Sequence, residues 1–226
     1  MRVSVVMSAY NAEAYIAEAI ESVLCQSRTM DQFIIVDDGS IDGTRREIAR
    51  YGNRITCLLQ DNQGPTAAIN RAIASATGDL LGFIDADDIW SERKLERQLA
   101  VLEADAGIDA VFGLVRQFVS PEVPEDRKAA LSPPNEIVRG ETKLAMLIRR
   151  SAYDRLGGFD DSIRAASMIE WLGRAKLSGL QSVSLDEVVA LRRLHLANGG
   201  RVNTKHQDEE TLLALKRVID ARRSSQ

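Results

Sequence analysis

The residues with the sharpest chemical character are Asp85-Ala86-Asp87-Asp88, three carboxylates within four positions directly after the apolar run Leu80–Ile84. Like charges this close cost free energy unless a cation or hydrogen-bond donors offset them. Carboxylate oxygens are hard ligands suited to Mg²⁺ or Mn²⁺, and an ion held there can neutralise a diphosphate that the same carboxylates would repel. Taken alone, the run is equally well a solvated turn that caps the next helix. A second acidic pair, Asp37-Asp38, follows Phe33–Val36 and precedes Gly39-Ser40. A carboxylate there can accept the imide N–H of uracil or a ribose hydroxyl, although Asp-Gly-Ser is also simply a good turn. Tyr10, just beyond Val3–Met7, offers a ring that either stacks on a base or packs in a core. Asn62-Gln63-Gly64-Pro65 reads as a helix start, with Pro65 at the first helical position.

The hydrophobic pattern shows what must position these groups. Four short apolar runs, Val3–Met7, Phe33–Val36, Ile55–Leu59 and Leu80–Ile84, predict buried strands. Between them Ile16, Ala19, Ile20, Val23 and Leu24 recur at helical spacing, and a second helix carries Ile69, Ala72, Ile73 and Ala76. This alternation predicts an α/β, Rossmann-like, mostly parallel sheet flanked by helices, with its ligand site outside the carboxyl ends of the strands. All four polar clusters fall on that edge. Residues 116–142 break the pattern with Pro121, Pro124, Pro133 and Pro134 among many charges. The expectation is an acceptor loop or lid, mobile without ligand. Beyond it come Leu144–Ile148, a Gly157-Gly158 stop, a helix near Met168–Leu177, an extended Val188–Leu194 and an amphipathic helix around Glu210–Arg222.

Composition narrows the class further. A chain of 226 residues, 45% hydrophobic and 27% charged, suits one large domain without a disulfide or metal staple. A net charge of −4 gives no basic footprint for nucleic acid; Lys216, Arg217, Arg222 and Arg223 form a solvated helix end or touch an acidic surface. Cys25 and Cys57 make neither a disulfide framework nor a thiolate zinc site, which suits a reducing cytosol. No run approaches the roughly 20 apolar residues of a membrane span, so the expected location is cytoplasmic, with any membrane association peripheral. A receiver-like signalling domain also places Asp pairs after parallel strands, but the lysine it needs after its last strand is absent. A dinucleotide oxidoreductase is disfavoured because no G-x-G-x-x-G follows the first strand.

Taken as a set, the segments Val3–Asn11, Ile35–Thr44, Asn62–Pro65 and Phe83–Trp90 resemble glycosyltransferase family 2, whose members have the GT-A fold. The likeness is strong from residue 3 to about residue 100 and weaker to about residue 200, through Gly157-Gly158-Phe159-Asp160 and Arg192-Arg193-Leu194-His195. It implies an inverting transfer from a nucleotide-diphosphate sugar, UDP-sugar by default, to a carbohydrate, lipid-linked or peptide acceptor, with Mn²⁺ or Mg²⁺ as cofactor. Residues 1–112 would form the nucleotide-sugar half, 113–200 the acceptor side and 201–226 a C-terminal helix of one domain. By the resemblance, Ala9, Tyr10 and Asp38 or Asp37 cradle the base, Asp85 reaches the ribose, Asp87 ligates the metal and Asp88 supports it. Asn11, Gly64, Asn70, Arg71 and Ala86 complete the expected donor site, and His195 is the second metal or diphosphate ligand.

Two departures stand out. Relatives often carry Ala-Arg-Asn where this chain has Ala68-Ile69-Asn70, with Arg71 one place later. Relatives also draw a catalytic base from Glu-Asp shortly before an arginine, whereas the stretch here is Ser167-Met168-Ile169-Glu170-Trp171-Leu172-Gly173-Arg174. Glu170 is therefore the candidate base, its alternative being a solvated helix residue. Asp160 and Asp161 stand behind it, and loss of the base would leave a nucleotide-sugar-binding protein without turnover. Trp90 and Trp171 are candidate sugar platforms or core residues.

Overall fold

A computed structural model describes residues 1–163, 166–198 and 204–224, and in the last stretch the side chains of 209–220 and 222. Residues 199–203, 225 and 226, which fall within the expected acceptor side and tail, and the Arg223 side chain lie outside the described set.

Strand β1 (Val3–Ala9) sends Val3, Val5, Met7 and Ala9 into one core and Val6 into a second. Strand β2 (Gln32–Asp37) divides Phe33 and Ile35 from Ile34 and Val36 in the same way. Apolar residues on both faces require cover on both faces. Helix α1 (Ile16–Leu24) supplies one side with Ile16, Ala19, Ile20 and Val23. On the other side, α3 (Pro65–Ser75) supplies Ala68, Ile69, Ala72 and Ile73. Helix α2 (Thr44–Ala49) lies between them in sequence and adds Ile48 to the first core.

With β3 (Thr56–Leu59) and β4 (Leu80–Asp85), the first half of the sheet runs β3-β2-β1-β4, every pair parallel. The chain steps outward from β1 to β3 and then returns to the far side of β1. That reversal opens a crevice at the carboxyl ends of β1 and β4, where open α/β sheets bind ligands. Register sets Ala9 beside Asp37 and Ser8 beside Asp85, so the polar clusters share one edge.

The second half is mixed. Its elements are β5 (Ile89–Trp90), α4 (Lys94–Ala104), β6 (Ala110–Val119), α5 (Glu125–Leu131), β7 (Ile137–Val138) and β8 (Leu147–Arg149). Then follow α6 (Arg150–Leu156), α7 (Ser167–Leu177), β9 (Ser182–Leu194) and α8 (Thr204–Ser224). The sheet continues β4-β8-β6-β9-β5, with β8 antiparallel to both neighbours and β9 parallel to β6. Strand β5 pairs antiparallel with β9, Ile89 opposite Leu191, which brings the end of β9 to the acidic turn.

Residues 116–142 are less loop-like than their prolines suggest. Strand β6 runs on to Val119, Pro124 directly precedes α5, and Val138 pairs with Val115. The prolines mark element boundaries, where a missing N–H costs nothing. Helix α8 lies on α7, close enough that a Cβ at Gly173 would come within 2.4 Å of Val218 Cγ2. Among the described residues no helix is long and apolar enough to cross a membrane.

Candidate active site

The loops after β1, β2 and β3 are organised by carboxylates. Asp37 is fully buried: its Oδ1 accepts the Ser40 N–H at 3.0 Å and its Oδ2 pairs with Arg45. With no exposed surface and both oxygens engaged in this conformation, it shapes the loop, and Asp38 beside it is also buried. Asp38 Oδ1 accepts Gln60 Nε2 and the Gln63 N–H, and its Oδ2 accepts the Gly64 N–H, all at 2.8 Å. Three of its roughly four lone-pair directions are filled, leaving one. Gly64, at φ 94°, adopts a conformation that a side chain would strain. Gly39, at φ 79°, lies so close to the neighbouring loop that a Cβ would sit 2.9 Å from the Asn62 nitrogen.

Asn11, at φ 47°, donates its N–H to Ser40 Oγ at 3.0 Å and accepts the Ile41 N–H at 2.9 Å, so its amide also holds a loop. Ala9 is buried, and its carbonyl accepts the Asp38 N–H at 2.8 Å. The neighbouring Tyr10 is 51% exposed at this edge. Asn70 and Arg71 face away from one another. Asn70 donates to the Phe159 carbonyl and pairs with Asp161, while Arg71 donates to the Leu59 carbonyl at 2.7 Å.

At the end of β4 the three carboxylates meet three different partners. Asp85 Oδ1 lies 3.1 Å from Lys143 Nζ. Asp87 Oδ2 lies 3.0 Å from His195 Nε2 and accepts Asn198 Nδ2 at 3.1 Å. Buried Asp88 accepts the Arg193 N–H at 2.8 Å. Burial, then the charges of Asp87 and Asp85, push its carboxyl well above the usual range. The Ala86 side chain packs into the first core and offers the site only its backbone.

Around this turn lies a buried network. Arg193 Nε donates to the Asp87 carbonyl at 3.0 Å, Nη1 to Ser120 Oγ at 3.1 Å, and Nη2 pairs with Glu18. Its guanidinium stands over the Tyr15 and Phe118 rings, 5.1 and 4.8 Å from their centroids. Tyr15 packs against His195, with ring centroids 4.4 Å apart, and donates its hydroxyl to Glu122 at 2.5 Å. Burial and that carboxylate push the Tyr15 phenol up to about 12, so it stays a donor. Lys143, Tyr15 and Glu122 were not marked by the sequence, since nothing local to them signals the contact.

Asp87 and His195 give a carboxylate and an imidazole side by side; the carboxylate suits Mn²⁺ or Mg²⁺, and the imidazole nitrogen favours the transition metal Mn²⁺ over Mg²⁺. His195 is 5% exposed and its Nδ1 is buried with no partner, so the polar attachment of the ring is at Asp87. Among the described residues no three His, Cys, Asp or Glu side chains form a complete cage. Two protein donors suit an ion whose remaining ligands are phosphate oxygens and water.

Helix α7 is arranged differently from its expectation. Glu170 is 7% exposed, and its two oxygens receive Arg174 Nε and Nη2 at 3.0 and 3.2 Å. Arg174 also holds the carbonyls of Leu156 and Gly158, so the pair pins the glycine turn after α6. The open helix carboxylate expected of a base is thus a clamped one in this conformation. Asp160 pairs with Arg217, and Asp161 with Asn70. Trp90 and Trp171 are both buried, their indole N–H groups on the carbonyls of Phe83 and Gly157. They are core residues and not sugar platforms.

The chain is 34% identical over 206 residues to the putative glycosyltransferase EpsE of Bacillus subtilis, covering 83% of this chain and 71% of that protein. It spans a third of another relative's length, at 40% identity over 107 residues. Among solved structures, residues 1–349 of Staphylococcus aureus TarS with UDP match with a TM-score of 0.69 at 21% identity, over 85% of this chain and 60% of that one. The Pyrobaculum calidifontis mannosyltransferase PcManGT with GDP-Man and Mn²⁺ matches at 0.67 and 22% identity, over 91% and 60%. These likenesses show the GT-A fold. The description "Glycosyl transferase family 2" matches residues 4–157, from the first strand through α6. The polar clusters after β1, β2, β3 and β4 therefore lie within a family match that takes in more than half of the sequence, with His195, Asn198 and Glu170 beyond it, and the chain belongs to glycosyltransferase family 2.

Proposed function

We propose that the protein is an inverting glycosyltransferase that moves a sugar from a nucleotide-diphosphate sugar, with UDP-sugar as the default donor, to an acceptor hydroxyl. The observation that carries this reading is the meeting of Asp87, His195 and Asn198 at the crevice between β1 and β4. Exposed Tyr10 supplies a face for the base, the free lone-pair direction of Asp38 takes the imide N–H, and Asp85 accepts a ribose hydroxyl. TarS with UDP and PcManGT with GDP-Man and Mn²⁺ support this ligand class on the same fold. A divalent ion, Mn²⁺ or Mg²⁺, held by Asp87 and His195 would offset the charge of the departing nucleotide diphosphate.

Inversion needs one base on the face opposite the leaving group. Glu170 is the proposed base, and it can take a proton only when its pair with Arg174 opens. While closed, that pair favours a second reading, a nucleotide-sugar-binding protein without turnover. The acceptor is a carbohydrate, lipid-linked or peptide hydroxyl on the side built by residues 113–200, and the location is cytoplasmic or at the membrane surface. Calorimetric titration with UDP, GDP and dTDP, each with and without Mn²⁺, tests the proposal. Absence of binding under every condition overturns it.

A further inference from the structure

Of the three carboxylates in the acidic turn, Asp88 is met by a backbone N–H and Asp87 by an imidazole and an amide, but Asp85 is met by the full positive charge of Lys143. Lys143 opens the short 3₁₀ turn Lys143–Ala145, directly after the acceptor-side segment. That turn is rigidly seated: Leu144 and Ala145 are buried, and the Ala145 carbonyl accepts both Lys94 Nζ at 3.0 Å and Gln98 Nε2 at 2.7 Å. The backbone of Lys143 is thus fixed to the core. Its side chain keeps 20% of its surface open, and that of Asp85 keeps 40%. An ammonium has three N–H donors; one directed at Asp85 leaves two for an incoming anion.

We propose that Lys143 is a further donor-site residue, a tethered cation that neutralises Asp85 before the donor arrives and supplies positive charge to the donor's diphosphate. This rests on the nucleotide-sugar reading above. The same charge opposes a divalent ion approaching the acidic turn, so Lys143 tunes how strongly metal binds ahead of nucleotide. A lysine serves phosphate as a point charge on a flexible stem without a fixed fork, so the contact does not depend on one exact geometry.

The test titrates the whole chain with Mn²⁺ alone, with UDP in the presence of EDTA, and with UDP at saturating Mn²⁺. The proteins are the wild type, Lys143→Met and Lys143→Arg. Lys143→Met is expected to bind Mn²⁺ alone about threefold more tightly, because the opposing charge is gone. It is expected to bind UDP in EDTA roughly tenfold more weakly. Lys143→Arg should return both values toward the wild type. Unchanged Mn²⁺ and UDP affinities in Lys143→Met, with only a lower melting temperature, would make Lys143 a structural pin and overturn the proposal. A wild type that binds Mn²⁺ but no nucleotide overturns the donor reading itself and the phosphate role with it. The Mn²⁺ arm still decides whether Lys143 opposes the ion.

Discussion

Arg193 donates Nε to the main-chain carbonyl of Asp87 at 3.0 Å from a position almost sealed from solvent. Its own backbone N–H is donated to Asp88, so one residue holds the turn at two successive points, the Asp87 carbonyl and the Asp88 carboxylate. Through Ser120 the same guanidinium reaches the chain just after β6. The planar fork has separate donors for the Asp87 carbonyl, Ser120 and Glu18, and its faces cover Tyr15 and Phe118.

Arg193→Lys keeps the charge but has one nitrogen where the guanidinium uses Nε, Nη1 and Nη2 to reach separate acceptors, so buried acceptors lose their partners. Stability should fall by about 2–4 kcal/mol, and UDP affinity with Mn²⁺ by at least roughly tenfold, because Asp87 is no longer held. Urea unfolding and calorimetry on the same preparation measure both. Native stability with native affinity in the variant would remove Arg193 from this positioning role.

Asp87→Ala removes one of the two adjacent donors and no core packing. The expected outcome is loss of the Mn²⁺-dependent part of nucleotide binding with a folded protein, checked by titrating UDP with and without Mn²⁺. His195→Ala should weaken the same metal-dependent part and also loosen Tyr15, whose ring it packs against. An Asp87→Ala protein that keeps wild-type affinity and still needs Mn²⁺ would show that the ion is held elsewhere.

The first 90 residues were legible because each polar cluster follows its strand directly, and short continuous apolar runs bounded by turn residues fix both. Contacts set by the second half were not. Asp87 and His195 are 108 positions apart, and the pairing of β9 with β5 and β6 brings them together. Lys143 sits at the end of a proline-rich stretch whose local pattern suggests a loop, and its partner Asp85 ends the strand that pairs with β8. Glu170 was located correctly on its helix, but spacing along a helix cannot say whether an i,i+4 arginine takes both its oxygens. Burial of Trp90 and Trp171 depends on how two sheet faces are covered, which single-sequence patterns leave open.

Lys94 is fully buried, with its Nζ donating to Gln98 Oε1 at 2.8 Å and to the Ala145 carbonyl at 3.0 Å, over the Trp90 ring. Burial pulls its pKa well below the ordinary lysine value, and two acceptors match the two N–H groups of a neutral amine. The unfolded chain holds that proton up to about pH 10.4. Between the depressed folded pKa and that value the unfolded state binds more protons, so stability rises with pH across the window. Lys94→Met should lose this slope, about 1.4 kcal/mol per pH unit at most. Urea unfolding from pH 7 to pH 10 measures it. An identical slope in the two proteins would show that Lys94 is charged in the fold.

The final prediction separates the two functional readings at Glu170. If Glu170 is the base, Glu170→Gln should keep donor affinity and lose turnover by roughly 10²–10⁴-fold, the range for removing a general base. If it is only the partner of Arg174, the same change leaves the guanidinium with one carboxamide oxygen. Its main effect then falls on stability, about 1–3 kcal/mol, with turnover per folded molecule unchanged. Arg174→Met sharpens the distinction. Freeing Glu170 should raise activity or leave it intact in the catalytic reading, whereas a purely structural pair predicts greater destabilisation from Arg174→Met, which also releases the Leu156 and Gly158 carbonyls, and activity that follows the folded fraction. The assay must contain an accepted acceptor, since slow donor hydrolysis by water can bypass the base. Transfer at the wild-type rate by folded Glu170→Gln protein would take the base away from α7 altogether.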